Sequence, residues 1–174
     1  MPAMSLEHGR TPQSHETAPI LLVEDDPDDV ALIEMALGSK TSLPLIRVED
    51  GEQAMRYLSA KPPYEDRTLF PLPRLVLLDL KMPKRNGFDV LAWIQAQPTL
   101  AQLAVIVLTG SVREEDRKRA EELGAWEFQV KPVGFAELVR IVRNVEERWL
   151  GQYSQSAIGL EQLNNRRADS TIRP

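Results

Sequence analysis

The chain contains no cysteine. Disulfide frameworks, thiolate nucleophiles, zinc ribbons and iron–sulfur ligation are excluded together, and a reducing cytosol fits that usage. Histidine is nearly as scarce. His8 and His15 are the only two, and both precede the first strong apolar segment. Imidazole is therefore not expected as a base or metal ligand in the folded body unless that N-terminal arm reaches back. Long hydrophobic runs are missing too. The longest, Leu103–Leu108, falls far short of the roughly 20 residues that span a bilayer. The opening segment holds no apolar stretch of the secretory kind. Positive charge is in deficit, with 21 Lys+Arg against 26 Asp+Glu and a net charge of −5, so nucleic-acid binding is not expected. These absences point to a cytoplasmic protein with neither membrane nor nucleic acid as partner.

What is present suits a packed domain: of 174 residues, 43% are hydrophobic and 27% charged, enough to bury a core. Short apolar runs alternate with amphipathic stretches. Ile20–Val23, Leu45–Val48, Leu75–Leu78, Leu103–Leu108 and Trp126–Val130 read as strands. Helices are expected over Asp28–Leu37, Gly51–Leu58, Phe88–Gln97, Val112–Leu123 and Phe135–Leu150. Asp26-Pro27 reads as a cap followed by proline at the first helical position. Gly124 suits a helix end. Lys61–Pro73, with Pro62, Pro63, Pro71 and Pro73, reads as a loop.

Strands that are apolar on both faces imply helices on both sides of a parallel sheet. The reading is a doubly wound α/β domain over 18–150, flanked by a mobile arm (1–17) and a polar tail (151–174).

In such a sheet, function gathers at the carboxyl ends of the strands. The first ends in Glu24-Asp25-Asp26, the third in Asp79, the fourth in Thr109-Gly110-Ser111 and the fifth in Lys131-Pro132. Carboxylates, a hydroxyl and one ammonium suit an anion held beside a hard cation. Converged carboxylates about 4 Å apart repel by ~4 kcal/mol per pair at an effective dielectric near 20, so they call for a cation. Oxygen-only donors favour Mg²⁺ or Mn²⁺ over zinc. Asp28 and Asp29, in the first turn of a helix, read as complements to its dipole.

ILLVEDDP, LVLLDLKMPKRNG, VIVLTGS and FQVKP, in that order and at strand ends, make the chain resemble a response-regulator receiver domain of two-component signalling. The resemblance covers most of 18–150. It implies a flavodoxin-like strand order 2-1-3-4-5. Asp79 is then the phosphoacceptor, with Thr109, the Gly110 amide and Lys131 serving the transferred phosphoryl oxygens. Asp25 and Asp79 would be direct ligands of Mg²⁺, Glu24 a ligand through water, and the Lys81 main-chain carbonyl would complete the protein's share. Phe128 takes the switch-aromatic place, turning inward as Thr109 moves toward phosphate, and the Lys131-Pro132 bond is expected to be cis. The proline-rich loop and the terminal VEERWL resemble stand-alone regulators paired with phytochrome-type histidine kinases. A sensor histidine kinase of that type is the expected upstream partner, with a downstream protein or phosphotransfer protein as target. No output domain or enzymatic module follows in the sequence.

Three other readings compete. A phosphoaspartate phosphatase needs D-x-D, and Lys81 occupies the second position. An FMN module needs a hydroxyl-rich loop after the first strand, where this chain has acids. A phosphorylation-independent scaffold has no use for the intact acceptor, lysine and acidic pair.

The closing helix carries one further expectation. Phe135, Leu138, Val142, Val145 and Trp149 fall within an arc of about 80°, and Val139 and Ile141 widen it to about 160°. That width, with Trp126 on the neighbouring edge strand, predicts a homodimer through Val139, Ile141, Val145, Trp149 and Trp126, as the family's habit also suggests.

Overall fold

A computed structural model describes residues 18–38, 43–145 and 147–148. The chain alternates β1 (Ile20–Val23), α1 (Pro27–Leu37), β2 (Leu45–Val48), α2 (Gly51–Leu58), β3 (Leu75–Leu78), α3 (Gly87–Gln95), β4 (Ala104–Thr109), α4 (Glu114–Glu122) and β5 (Glu127–Val130). A last helix, α5, begins at 135 and runs through 145. All strand pairs are parallel and the order is β2-β1-β3-β4-β5, as expected.

Alternation along each strand divides the core in two. Leu21, Val23, Val76, Leu78, Val105, Val107 and Phe128 pack with the buried side chains of α2, α3 and α4. Ile20, Leu22, Leu75, Leu77, Ile106 and Leu108 face α1 and α5, meeting Val30, Ile33, Leu138 and Val142. The same alternation aims the residues that follow the strands. Glu24 and Asp79 continue the α1 side of the sheet, and so does Lys131.

Local signals explain the helix starts. Asp26 caps α1 by accepting from the Asp28 amide at 2.9 Å, with Pro27 inside the first turn. Asn86 and Asp89 form a reciprocal capping box on α3. Several boundaries move by one residue, and two by two residues. α4 starts at Glu114 rather than Val112, because Val112 is 81% exposed and the acids Glu114, Glu115 and Asp116 favour a helix N-terminus there. α3 stops at Gln95 because Pro98 opens a separate 3-10 turn, Pro98–Leu100. The Lys131–Pro132 bond is a further correction: it is trans, the isomer favoured by about 0.5–1 kcal/mol. Among the described residues the cis bond is Pro62–Pro63.

The proline-rich segment is more ordered than a bare loop. Tyr57, Tyr64 and Phe70 pack tilted or edge-on, with ring centroids 5.2 to 6.2 Å apart. The Tyr57 hydroxyl donates to the Pro71 carbonyl at 2.8 Å, and Arg67 donates to the Leu58 and Phe70 carbonyls.

The expected dimer surface is altered by the fold. Val145 is buried, and Val139 and Ile141 pack against the α1-side core of their own chain. A wide apolar arc is what a helix wedged between a sheet and a neighbouring helix requires. Phe135, placed on the core stripe, is instead 42% exposed, and Trp126 stands out at 57%. Trp149, the 1–17 arm and the 151–174 tail lie outside the described residues.

Candidate functional site

β1, β3 and β5 deliver Glu24, Asp79 and Lys131 to one spot. Glu24 is 1% exposed. Its Oε1 accepts from the Asp26 amide at 3.2 Å and its Oε2 from Lys131 Nζ at 2.7 Å. Burial pushes the Glu24 carboxyl up, and Lys131 only partly offsets this. For Lys131, burial pushes down but is overcome by Asp29 and Glu24, so the ammonium is held above its usual range. Glu24, Asp25 and Asp79 each offer an oxygen within 4.8 Å of the others, with Asp25 on the exposed rim.

Asp79 is buried yet incompletely bonded. Its Oδ2 accepts from the Lys81 amide at 3.1 Å. Its Oδ1 has no hydrogen-bond partner, and Lys131 Nζ stands 3.8 Å away, within ion-pair range but too far for a hydrogen bond. Among the described residues this is the one buried side-chain oxygen so placed. Leaving a buried acceptor unmet costs about 1–3 kcal/mol, so the arrangement needs an incoming cation or donor to be complete. The backbone behind it is tightly set: a Cβ on Gly87 would come 2.4 Å from the Asp79 carbonyl oxygen, and the Gly87 amide donates to the Leu80 carbonyl at 3.1 Å.

The other anticipated residues fall around this point. Thr109 is fully buried, and its Oγ1 accepts weakly from the Ser111 amide at 3.4 Å. At Gly110 an added Cβ would meet nothing within 4 Å, so the protein's own packing does not demand glycine there. The contact made by Lys81 is through its amide. Phe128 is already inside, 4% exposed, in register with Val107. With no hydroxyl to keep in water it behaves as a core aromatic, and the expected inward turn has no outward starting point here. The Arg117 guanidinium covers the ring at 4.7 Å and donates to the Phe128 carbonyl at 3.1 Å.

Two participants were missed by the sequence reading. Asp29, assigned only to the helix dipole, accepts from Lys131 Nζ through Oδ2 at 2.7 Å. The available signal was its spacing: Asp29 lies four residues before buried Ile33 and so shares the sheet-facing stripe of α1. Asp50, 2% exposed, accepts from the Gln53 amide at 2.8 Å and from Lys84 Nζ at 2.6 Å. It ties α2 to the β3–α3 loop. Burial pushes its carboxyl up, but Lys84 and the Gln53 amide win and hold it below the usual range. Two open grooves of about 350 and 460 Å³ run along α2, away from the carboxylate cluster.

Comparison with known proteins agrees with this geometry. Response regulator Rcp1 of Synechocystis is 37% identical over 139 residues, covering 79% of this chain and 92% of its own. A crystal structure of Rcp1 in its Mn²⁺-bound form superposes with a TM-score of 0.70, at 37% identity, covering 76% of this chain and 94% of that one. The phosphorylated cyanobacterial phytochrome response regulator RcpA superposes at 0.73, with 36% identity and coverage of 78% and 96%. The bacteriophytochrome response regulator RtBRR is 42% identical, with a TM-score of 0.63 and coverage of 71% and 75%. Residues 20–143 match the response regulator receiver domain, and with the strand order and strand-end acids already in place, the chain belongs to that family.

Proposed function

We propose that this chain is a response-regulator receiver that accepts a phosphoryl group from a histidine kinase onto Asp79. The observation that carries this reading is the buried, unpartnered Oδ1 of Asp79, 3.8 Å from Lys131 Nζ. A carboxylate is a modest nucleophile, but phosphoryl transfer depends mainly on positioning and charge neutralisation. The P–N bond of a phosphohistidine breaks as a P–O bond to Asp79 forms. Lys131 and the Thr109 hydroxyl are proposed to meet the transferred oxygens, with the Gly110 amide beside them. Phe128, paired with Val107 two residues before Thr109 on β4, is proposed to transmit the change through its contact with Arg117.

Mg²⁺, with Mn²⁺ as a substitute, is the ion that fits an oxygen-only donor set. Asp25, Asp79 and the Lys81 carbonyl would hold it. Glu24 would act through water, in keeping with both its oxygens being engaged by Lys131 and the Asp26 amide. The ion would supply positive charge against the phosphoryl oxygens. The phytochrome response regulators among the relatives support a phytochrome-type kinase upstream. The signal is proposed to pass in the cytoplasm by protein contact or onward phosphotransfer, without enzymatic turnover of its own.

Self-association is proposed at Trp126, exposed just before the edge strand β5, rather than through Val139 and Ile141, since a sheet edge invites cover. Trp126→Glu then lowers the mass seen by light scattering. A wild type already monomeric at about 100 μM, phosphorylated or not, overturns the dimer. For the function itself, incubation with acetyl phosphate and Mg²⁺ is expected to place one phosphate on Asp79, seen by intact mass and lost in Asp79→Asn. No transfer from acetyl phosphate or from any phytochrome-type kinase overturns the reading.

A further inference from the structure

Lys131 is shared unequally among three carboxylates. Its ammonium donates to Glu24 and to Asp29 at 2.7 Å each and remains 3.8 Å from Asp79. Glu24 and Asp79 are strand-end residues, whereas Asp29 sits in the first turn of α1. The α1 helix therefore supplies a counter-anion that draws the lysine sideways, and the buried Oδ1 of Asp79 is left without a donor. We propose that Asp29 is a positioning residue, a latch that holds Lys131 off Asp79 in the resting protein and gives it up when a phosphoryl group arrives. The proposal rests on Asp79 being the phosphoacceptor.

The choice of Asp29 over Glu24 as the partner that yields follows from burial. An ammonium has three donors. A phosphoryl group on Asp79 brings close to two negative charges within reach of them. Two of the three donors are already engaged by Glu24 and Asp29, so Lys131 can offer more than one to the new oxygens only if one of these partners loosens. The Glu24 side chain is 2% exposed and that of Asp29 is 35% exposed. Deserting Glu24 would leave a buried charge unpaired, which is costly. Deserting Asp29 leaves a carboxylate that water can reach and that the α1 N-terminus still favours. The exchange therefore opens the tie between α1 and the end of β5 and leaves Glu24 in place.

The test uses the full chain with beryllofluoride at saturating Mg²⁺ as the phosphoryl mimic. Asp29→Asn removes the competitor for Lys131, so beryllofluoride should bind about 2- to 5-fold tighter, the scale of a partly exposed ion pair. Asp29→Glu keeps the charge and should return affinity toward wild type. In a Lys131→Met background the Asp29→Asn change should have no effect, because the latch acts through the lysine. In the resting protein, without any mimic, the Lys131 Nζ resonance should shift in Asp29→Asn. Unchanged or weaker binding in Asp29→Asn, an equal gain in the Lys131→Met background, or an unmoved resonance each overturns the latch alone. Failure of the wild type to bind beryllofluoride overturns the acceptor reading and the latch with it.

Discussion

Among the described residues two buried aspartates follow strands, and their surroundings are opposite. Asp50, after β2, is 2% exposed and well supplied: the Gln53 amide, Gln53 Nε2 at 3.5 Å and Lys84 Nζ all approach it. Asp79, after β3, is 5% exposed, has the Lys81 amide on one oxygen and no hydrogen bond on the other. The first holds a helix and a loop together. The second is held in an unfinished state, with a lysine in view but out of bonding range. A buried polar group earns its place either by being satisfied, in which case it stabilises, or by being left short where chemistry will satisfy it.

The sharpest way to break this contrast is to neutralise each acid. Asp79→Asn should abolish phosphorylation by acetyl phosphate while the fold survives, since the amide keeps the shape and loses the nucleophile. Asp50→Asn should remain phosphorylatable. Labelled phosphate retained on the Asp79 variant, or lost equally in both, would dissolve the distinction. Next in size is the metal side of the site. Asp25→Ala removes one of three converging carboxylates, so Mg²⁺ affinity should fall at least 10-fold in a titration. The metal-free protein should melt no lower than wild type, because repulsion on the exposed rim is relieved. Unchanged Mg²⁺ affinity would remove Asp25 from the proposed ligands.

Stability should rank the two acids in reverse order. Asp50→Ala takes the cap from α2 and strands Lys84, a loss of about 1–2 kcal/mol in a denaturant melt. Asp79→Ala removes a carboxylate with an unmet oxygen and should cost less, or stabilise. Equal losses would mean that satisfaction is not what separates them.

Much of this was legible in the sequence, for a physical reason. Strands apolar on both faces, such as Leu75–Leu78, have one common explanation, and the first charged residue after each marks where the sheet meets water. That places Asp79 and Lys131 without long-range information. Asp29 was not placed, because a first-turn acid satisfies the helix dipole wherever its side chain points, and only the lysine arriving from β5 gives it a second role. The edge-on clustering of Tyr57, Tyr64 and Phe70 depends on how a proline-bearing segment folds back, which no periodicity records. Val139 and Ile141 pack partly against their own core, and an arc of about 160° is equally the mark of a partner chain and of a helix lodged between sheet and helix. Only the packing decides between these.

The smallest expected effect concerns Lys84, and it separates charge from backbone in the Asp50 clasp. Lys84 holds φ at 62°, a left-handed conformation that glycine adopts freely and other residues adopt at a cost. Lys84→Ala loses the ion pair and keeps that cost, whereas Lys84→Gly loses the ion pair and relieves it. At neutral pH the glycine variant should therefore be the more stable of the two. The acid limb should behave differently. The Asp50 carboxyl lies below its ordinary 3.8 in the folded protein, so between those values the unfolded chain binds more protons than the folded one. The stability it contributes is fully present above about pH 3.8 and is lost as pH falls through the lower folded value. Without Lys84, burial acts against the Gln53 and Glu52 amides only, the folded value rises, and the contribution is lost at higher pH. Both variants should show the same shift in acid melts, since neither carries the ammonium. Different acid limbs in the two would mean that the loop conformation, rather than the Lys84 charge, holds the Asp50 carboxyl down.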